Sequence, residues 1–148
     1  MPAVFDKLGI RFTYPDNWTV DESDALGGEC SVTVYSPAGA FWAVSLHAPD
    51  TVPKDLVKAA THALRETYPD LDFESATETM HGVETAGADL NFYCLDLTNT
   101  ALVRAFRAPR FNCLVLCQAE DREFEEVGPV FRAMTQTLLL NLTQPAKS

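Results

Sequence analysis

The run Gly9-Ile10-Arg11-Phe12-Thr13-Tyr14-Pro15-Asp16-Asn17-Trp18 constrains the fold more than any other stretch of its length. Apolar residues alternate at Ile10, Phe12 and Tyr14, so a strand here carries all three on one face. Pro15 has no N–H to give a sheet ladder, and Asp16 and Asn17 are turn formers, so the strand stops there. Trp18 then returns as a bulky apolar anchor. A chain that begins this way has to cover one face of a strand and an indole before any enzyme motif could appear.

The alternation resumes after an acidic, turn-rich loop over residues 16–29 that ends in Gly27-Gly28. Residues 30–36 and 41–47 read as the two strands of a hairpin closed by Ser36-Pro37-Ala38-Gly39. Thr51 is the expected N-cap of a helix through Glu66, with Pro53 in its first turn. Leu56, Ala60, Ala63 and Leu64 form the apolar stripe of that helix, and Tyr68-Pro69 ends it. Strands follow near residues 72–78, 85–95, 101–108 and 111–119, with hairpin breaks expected at Thr98-Asn99 and Pro109-Arg110. Cys113-Leu114-Val115-Leu116-Cys117 is apolar at every position, so that strand should be covered on both faces. Residues 120–127 read as an acidic approach holding at most a helical turn. Pro129 at the first helical position then starts a closing helix through Leu140, carrying Phe131, Met134 and Leu138. Residues 143–148 read as a frayed tail. The expectation is one domain over residues 1–148, α+β in class, with a mainly antiparallel sheet and one helix packed on each side.

The short strand, the Tyr14-Pro15-x-x-Trp18 turn and the order of elements after it resemble the PsbP/Mog/DcrB superfamily. The resemblance extends over nearly the whole chain and implies an αβα sandwich. The superfamily includes the extrinsic PsbP subunit of the oxygen-evolving complex and a Ran-binding nuclear import factor. Both act by docking onto larger partners, which implies a non-catalytic interaction module here. PsbP proteins are associated with calcium and manganese, and none of their ligand positions carries over to this chain.

The residues themselves give no enzyme. On a strand, Cys113 and Cys117 share a face about 13 Å apart, too far to share a zinc whose ligands lie at about 2.3 Å. Cys30 and Cys94 add no C-x-x-C spacing, and His47, His62 and His81 fall in no ligand motif. The acids Asp16, Asp21, Glu22 and Asp24 lack the glycine and spacing of an EF-hand and read as a solvated loop. There is no nucleophile elbow and no phosphate-binding glycine loop, so no catalytic residue, metal or cofactor is expected.

Charge narrows the partner. A net charge of −10 argues against nucleic acid and against anionic lipid. No window is long and apolar enough for a membrane span, and the first residues lack a signal-peptide pattern, so the expected compartment is the cytoplasm. The expected partner is a protein, with a basic contact surface. Three residues are candidates for binding. Arg104 and Arg107, with Arg110, concentrate basic charge in seven positions, although strand alternation puts the first two on opposite faces. Trp42 would anchor an interface if exposed, and belongs to the core if its face, shared with Val44 and Leu46, meets a helix. A small-ligand binder using a cleft between sheet and helix is the second reading. A homodimeric, chaperone-like adaptor is the third.

Overall fold

The computed structural model describes residues 2–22 and 30–143. Within them, β1 (Pro2–Lys7) and β2 (Ile10–Pro15) form a two-stranded antiparallel sheet of their own. A second sheet of seven antiparallel strands runs in the order β3-β4-β5-β9-β8-β7-β6. Its strands are β3 (Thr19–Asp21), β4 (Cys30–Tyr35), β5 (Phe41–His47), β6 (Asp72–Met80), β7 (Val83–Cys94), β8 (Leu97–Arg107) and β9 (Asn112–Glu120). Helix α1 (Pro53–Thr67) packs across β7, β8 and β9, and α2 (Asp121–Thr143) packs on β2, β8 and β9. The fold is α+β, as the sequence led us to expect.

The two faces of the large sheet are covered on a diagonal. The helix α2 and the β1–β2 hairpin cover the β4, β5 and β9 half of one face. Phe12, Val32, Val34, Trp42, Val44, Cys113, Val115, Phe131, Met134 and Leu138 are buried there. Helix α1 covers the β7, β8 and β9 part of the other face, over Ala88, Leu90, Ala101, Val103, Leu114 and Leu116. β9 is apolar on both sides and packs against both helices. The quarters under neither helix are polar: Ser31, Thr33 and Ser45, all buried, on the α1 side, and Glu74, Asp89 and Asn91 on the α2 side.

The edge of β2 illustrates how the small sheet is held. Thr13 faces α2, and its N–H donates to Thr137 Oγ1 at 3.1 Å, while Asn141 Nδ2 donates to the carbonyl of Arg11 at 3.1 Å. Side chains of α2 therefore take the place of a third strand. The turn after β2 closes with Trp18 N–H on the Pro15 carbonyl at 3.0 Å. This seats the indole edge-on against Phe131, with centroids 5.9 Å apart.

Several boundaries differ from the sequence expectation. Strand β1 was not anticipated, and β3 lies inside the segment read as acidic loop; Gly27-Gly28 falls outside the described residues. Thr51 is not the cap of α1. Val52 holds that position, and the Thr51 hydroxyl instead donates to the Ala48 carbonyl at 2.6 Å. Ala63 is exposed, and the helix buries Val57 and Thr61 instead. The β7–β8 turn lies at Leu95-Asp96, leaving Thr98 and Asn99 inside β8. Pro129 sits inside α2, which starts at Asp121. Asp121 and Glu123 in the first turn suit the positive end of the helix dipole, and Ser36 Oγ donates to Glu123 at 2.6 Å, so the first turns form without help from Pro129. The helix continues through Thr143, and residues 144–148 of the expected tail lie outside the described residues.

Candidate docking surface

Trp42 is fully buried. Its ring lies 4.6 Å from that of Phe12, and its Nε1–H donates to Thr135 Oγ1 at 3.0 Å; Thr135 in turn donates to the Phe131 carbonyl. It is a core residue joining β5, β2 and α2, and offers no contact to a partner.

Arg104 and Arg107 point to opposite faces. Arg104 folds flat across Gly87, its cross-strand neighbour. A Cβ on Gly87 would stand 2.6 Å from the Val103 carbonyl and 2.8 Å from Arg104 Nη1, so only glycine permits this course. The guanidinium ends 2.9 Å from an Asp89 oxygen, and its side chain is 12% exposed. Arg107 is exposed, with Nη1 3.4 Å from the Thr51 carbonyl. The structure does not bring these arginines together, and Arg104 is already neutralised.

Cys113 and Cys117 are buried in the sheet and are poor nucleophiles. Burial pushes the Cys113 thiol up to about 12 and raises Cys117 as well, the latter against the opposing influence of Arg104. Among the described residues no group of three or more His, Cys, Asp or Glu side chains is placed to hold a metal ion.

The feature that sequence reasoning missed is the end of the β7–β8 hairpin. β6 pairs with β7 only as far as Asp72–Asn91, and β9 pairs with β8 only as far as Asn99–Glu120. From Phe92 to Thr98 the hairpin therefore projects beyond both neighbouring strands. Its apex is Leu95, 90% exposed, flanked by Tyr93 at 71% and Leu97 at 41%. Leu95 and Asp96 have φ values of 53° and 64°, the paired left-handed geometry of a two-residue hairpin turn. Among the described residues the two other such turns, Leu8-Gly9 and His81-Gly82, place glycine second; this one has no glycine. A left-handed L-residue costs roughly 1–2 kcal/mol, and a leucine adds exposed apolar surface to that cost. The only sequence signal was an apolar Tyr-Cys-Leu-Asp-Leu run where a turn should be polar.

The base of this hairpin is braced. Tyr68 stacks on Phe92 with ring centroids 4.3 Å apart, and its hydroxyl donates to Cys94 Sγ at 3.7 Å, which raises the Tyr68 pKa. Carboxylates frame the tip: Asp96 in the turn, Asp72 and Glu74 on β6, and Glu120 and Asp121 where β9 meets α2. The nearest arginine of α2, Arg122, lies 3.2 Å from Glu120. The result is an apolar knob braced at its base, with more carboxylates than cations near it; Arg65 lies over the Phe73 ring at 4.9 Å.

Grooves also mark the surface, including one of about 400 Å³ lined by Val52, Pro53, Lys54, Val83, Glu84, Ala86 and Arg107. Another, of about 330 Å³, runs beside α1 and is lined by His47, Leu56, Ala59, Ala60, Leu64, Leu114 and Leu116, among others. A third, of about 460 Å³, lies between β2 and α2. No helix among the described residues is long and apolar enough to cross a membrane.

With this geometry in hand, comparison with solved structures defines the fold. The solution structure of cyanobacterial PsbP (CyanoP) from Synechocystis sp. PCC 6803 superimposes with a TM-score of 0.68 at 10% identity, covering 92% of this chain and 90% of that one. LpqN of Mycobacterium tuberculosis, described as involved in cell envelope biogenesis, gives 0.56 at 14% identity over 90% of this chain and 86% of its own. A Pseudomonas aeruginosa protein of unknown function gives 0.55 at 13% identity, with 99% of each chain covered. The chain has the PsbP-like fold. Neither a family profile nor a curated protein sequence matches it.

Proposed function

We propose that this chain is a non-catalytic protein-interaction module that docks a basic partner through the β7–β8 hairpin tip. The observation that carries the reading is Leu95, held at a left-handed φ of 53° and 90% exposed on a braced, projecting hairpin. Sparsely populated backbone conformations cluster at functional sites, and Tyr93 beside Leu95 is of a residue type enriched among interface anchors. The acidic frame selects a partner pocket rimmed by Lys or Arg and speeds encounter with it. Docking onto larger assemblies, implied by the superfamily resemblance, agrees with this, and a cytoplasmic setting is part of the proposal.

The test is affinity capture from lysate of the source organism with the wild type and with Leu95→Asn, which keeps the turn geometry and removes the knob. One dominant protein, released by high salt and lost in the variant, is the expected result. Equal capture by both chains would sink the assignment to the tip.

The α1 groove supports a second reading, a small apolar ligand held against Leu114 and Leu116 with His47 as its polar contact. About 330 Å³ falls within the usual range of ligand pockets. An environment-sensitive apolar dye should brighten on the wild type and fail to do so on Ala60→Phe; indifference to that substitution removes the idea.

A further inference from the structure

The groove between β2 and α2 has an unusual chemical bias. Its lining includes three prolines, Pro2, Pro15 and Pro129, together with Val130, Ala133 and Met134, beside Tyr14 and Asp16. Proline has no N–H, so these walls present carbonyls and few backbone donors. Pro129 does more than this. As an interior helical residue it deprives the Glu125 carbonyl of the N–H four positions on. On the opposite wall, Thr13 turns its N–H away from β1 to meet Thr137, so its carbonyl lies on that same outer edge.

The charges point the same way. Asp16 is in the lining, and Glu125 and Glu126 are exposed one turn before Pro129 and Val130, on the same side of α2. Among the described residues no Lys or Arg lines the groove. The two arginines of α2 are engaged elsewhere, Arg122 with Glu120 and Arg132 with Glu78, each at 3.2 Å. The groove is thus apolar along its walls, poor in backbone donors and negatively charged at one end.

We propose that this groove binds a short segment of a partner protein that carries Lys or Arg next to an aliphatic residue. The aliphatic side chain lies against Val130, Ala133 and Met134, while the cation meets the carboxylates at the charged end. A backbone lacking donors along the groove walls disfavours acidic or acceptor-rich segments, because their groups would be desolvated without a partner. This inference rests on the reading of the chain as a docking module, but on a different surface from the hairpin tip.

The test does not need the natural partner. A random heptapeptide library displayed on phage is selected against the whole chain, and the consensus peptide is then titrated by fluorescence anisotropy. The expected consensus pairs Lys or Arg with Leu, Ile, Val or Met. Ala133 is exposed, so Ala133→Trp fills the groove without entering the core. It should weaken the peptide by about tenfold or more, against about threefold for Glu125→Gln with Glu126→Gln, whose complex should also lose most of its salt dependence. Leu95→Asn should bind the peptide as the wild type does.

No enrichment, an acidic or wholly apolar consensus, or full binding by a folded Ala133→Trp would overturn the proposal. The two surfaces fail separately. Partner capture lost on Leu95→Asn without any groove peptide leaves only the tip standing. A groove peptide alongside capture indifferent to Leu95 leaves only the groove.

Discussion

Between Lys7 and Ile10, and again between Cys94 and Leu97, the chain reverses through two left-handed residues that begin with leucine. Beyond that shared turn the two hairpins diverge. The β1–β2 hairpin buries Phe5, Ile10 and Phe12 against α2 and the large sheet, and its Gly9 lies beside the ring of Phe111. Glycine relieves its second left-handed position, and burial of its apolar face accounts for its presence. The β7–β8 tip has neither glycine nor cover. Contacts within the fold account for the strands of the first hairpin, although its Leu8 is also left-handed and 43% exposed; at the second, Leu95 is 90% exposed with no glycine beside it, so interaction with something outside the fold is the natural reading there.

The largest effect that tests this contrast is at the covered hairpin. Phe12 is fully buried, stacked on Phe5 at 5.1 Å and tilted against Trp42 at 4.6 Å. Phe12→Ala should cost about 3–5 kcal/mol, read as a fall in the urea midpoint with unchanged slope. A loss below about 1 kcal/mol would mean that the hairpin merely rests on the sheet, and the contrast between the two regions would collapse.

How far the sequence revealed each region follows from what held it in place. Ile10, Phe12 and Tyr14 were readable because a half-buried strand shows its period, and Cys113 to Cys117 because only a doubly covered strand is apolar throughout. The start of α2 was obscured by Pro129, which looks like a first helical residue; packing of Val127 and Phe124 and the bond from Ser36 to Glu123 outweigh the break. Thr51 looked like a cap because its hydroxyl could not be seen committed to Ala48, nor Asn112 Nδ2 donating to it at 2.9 Å. Trp42 and Arg104 were legible as residue types, but their fates depended on partners distant in sequence, Thr135 and Asp89. The tip was misplaced onto Thr98-Asn99 because Leu-Asp is not a turn signal. The site is hard to read for the same reason that it stands out in the structure: a local rule is broken there with no gain inside the fold.

The smallest effect is the most discriminating. Leu95→Asn keeps a residue that tolerates left-handed φ, removes the exposed side chain, and should raise stability by on the order of 0.5–1 kcal/mol, part of the left-handed cost. The same substitution is the one expected to abolish partner capture. Stability and binding should therefore move in opposite directions at this position, whereas at Phe12 a loss of stability carries any loss of binding with it. A calorimetric scan beside the capture experiment reads both. If Leu95→Asn lowers stability, the leucine has a structural role within the fold, and the exposed hairpin becomes a second covered one with its contacts unrecognised. If stability rises and capture persists, the strain at Leu95 has no use on this surface, and the acidic groove of β2 and α2 becomes the better place to look for the partner.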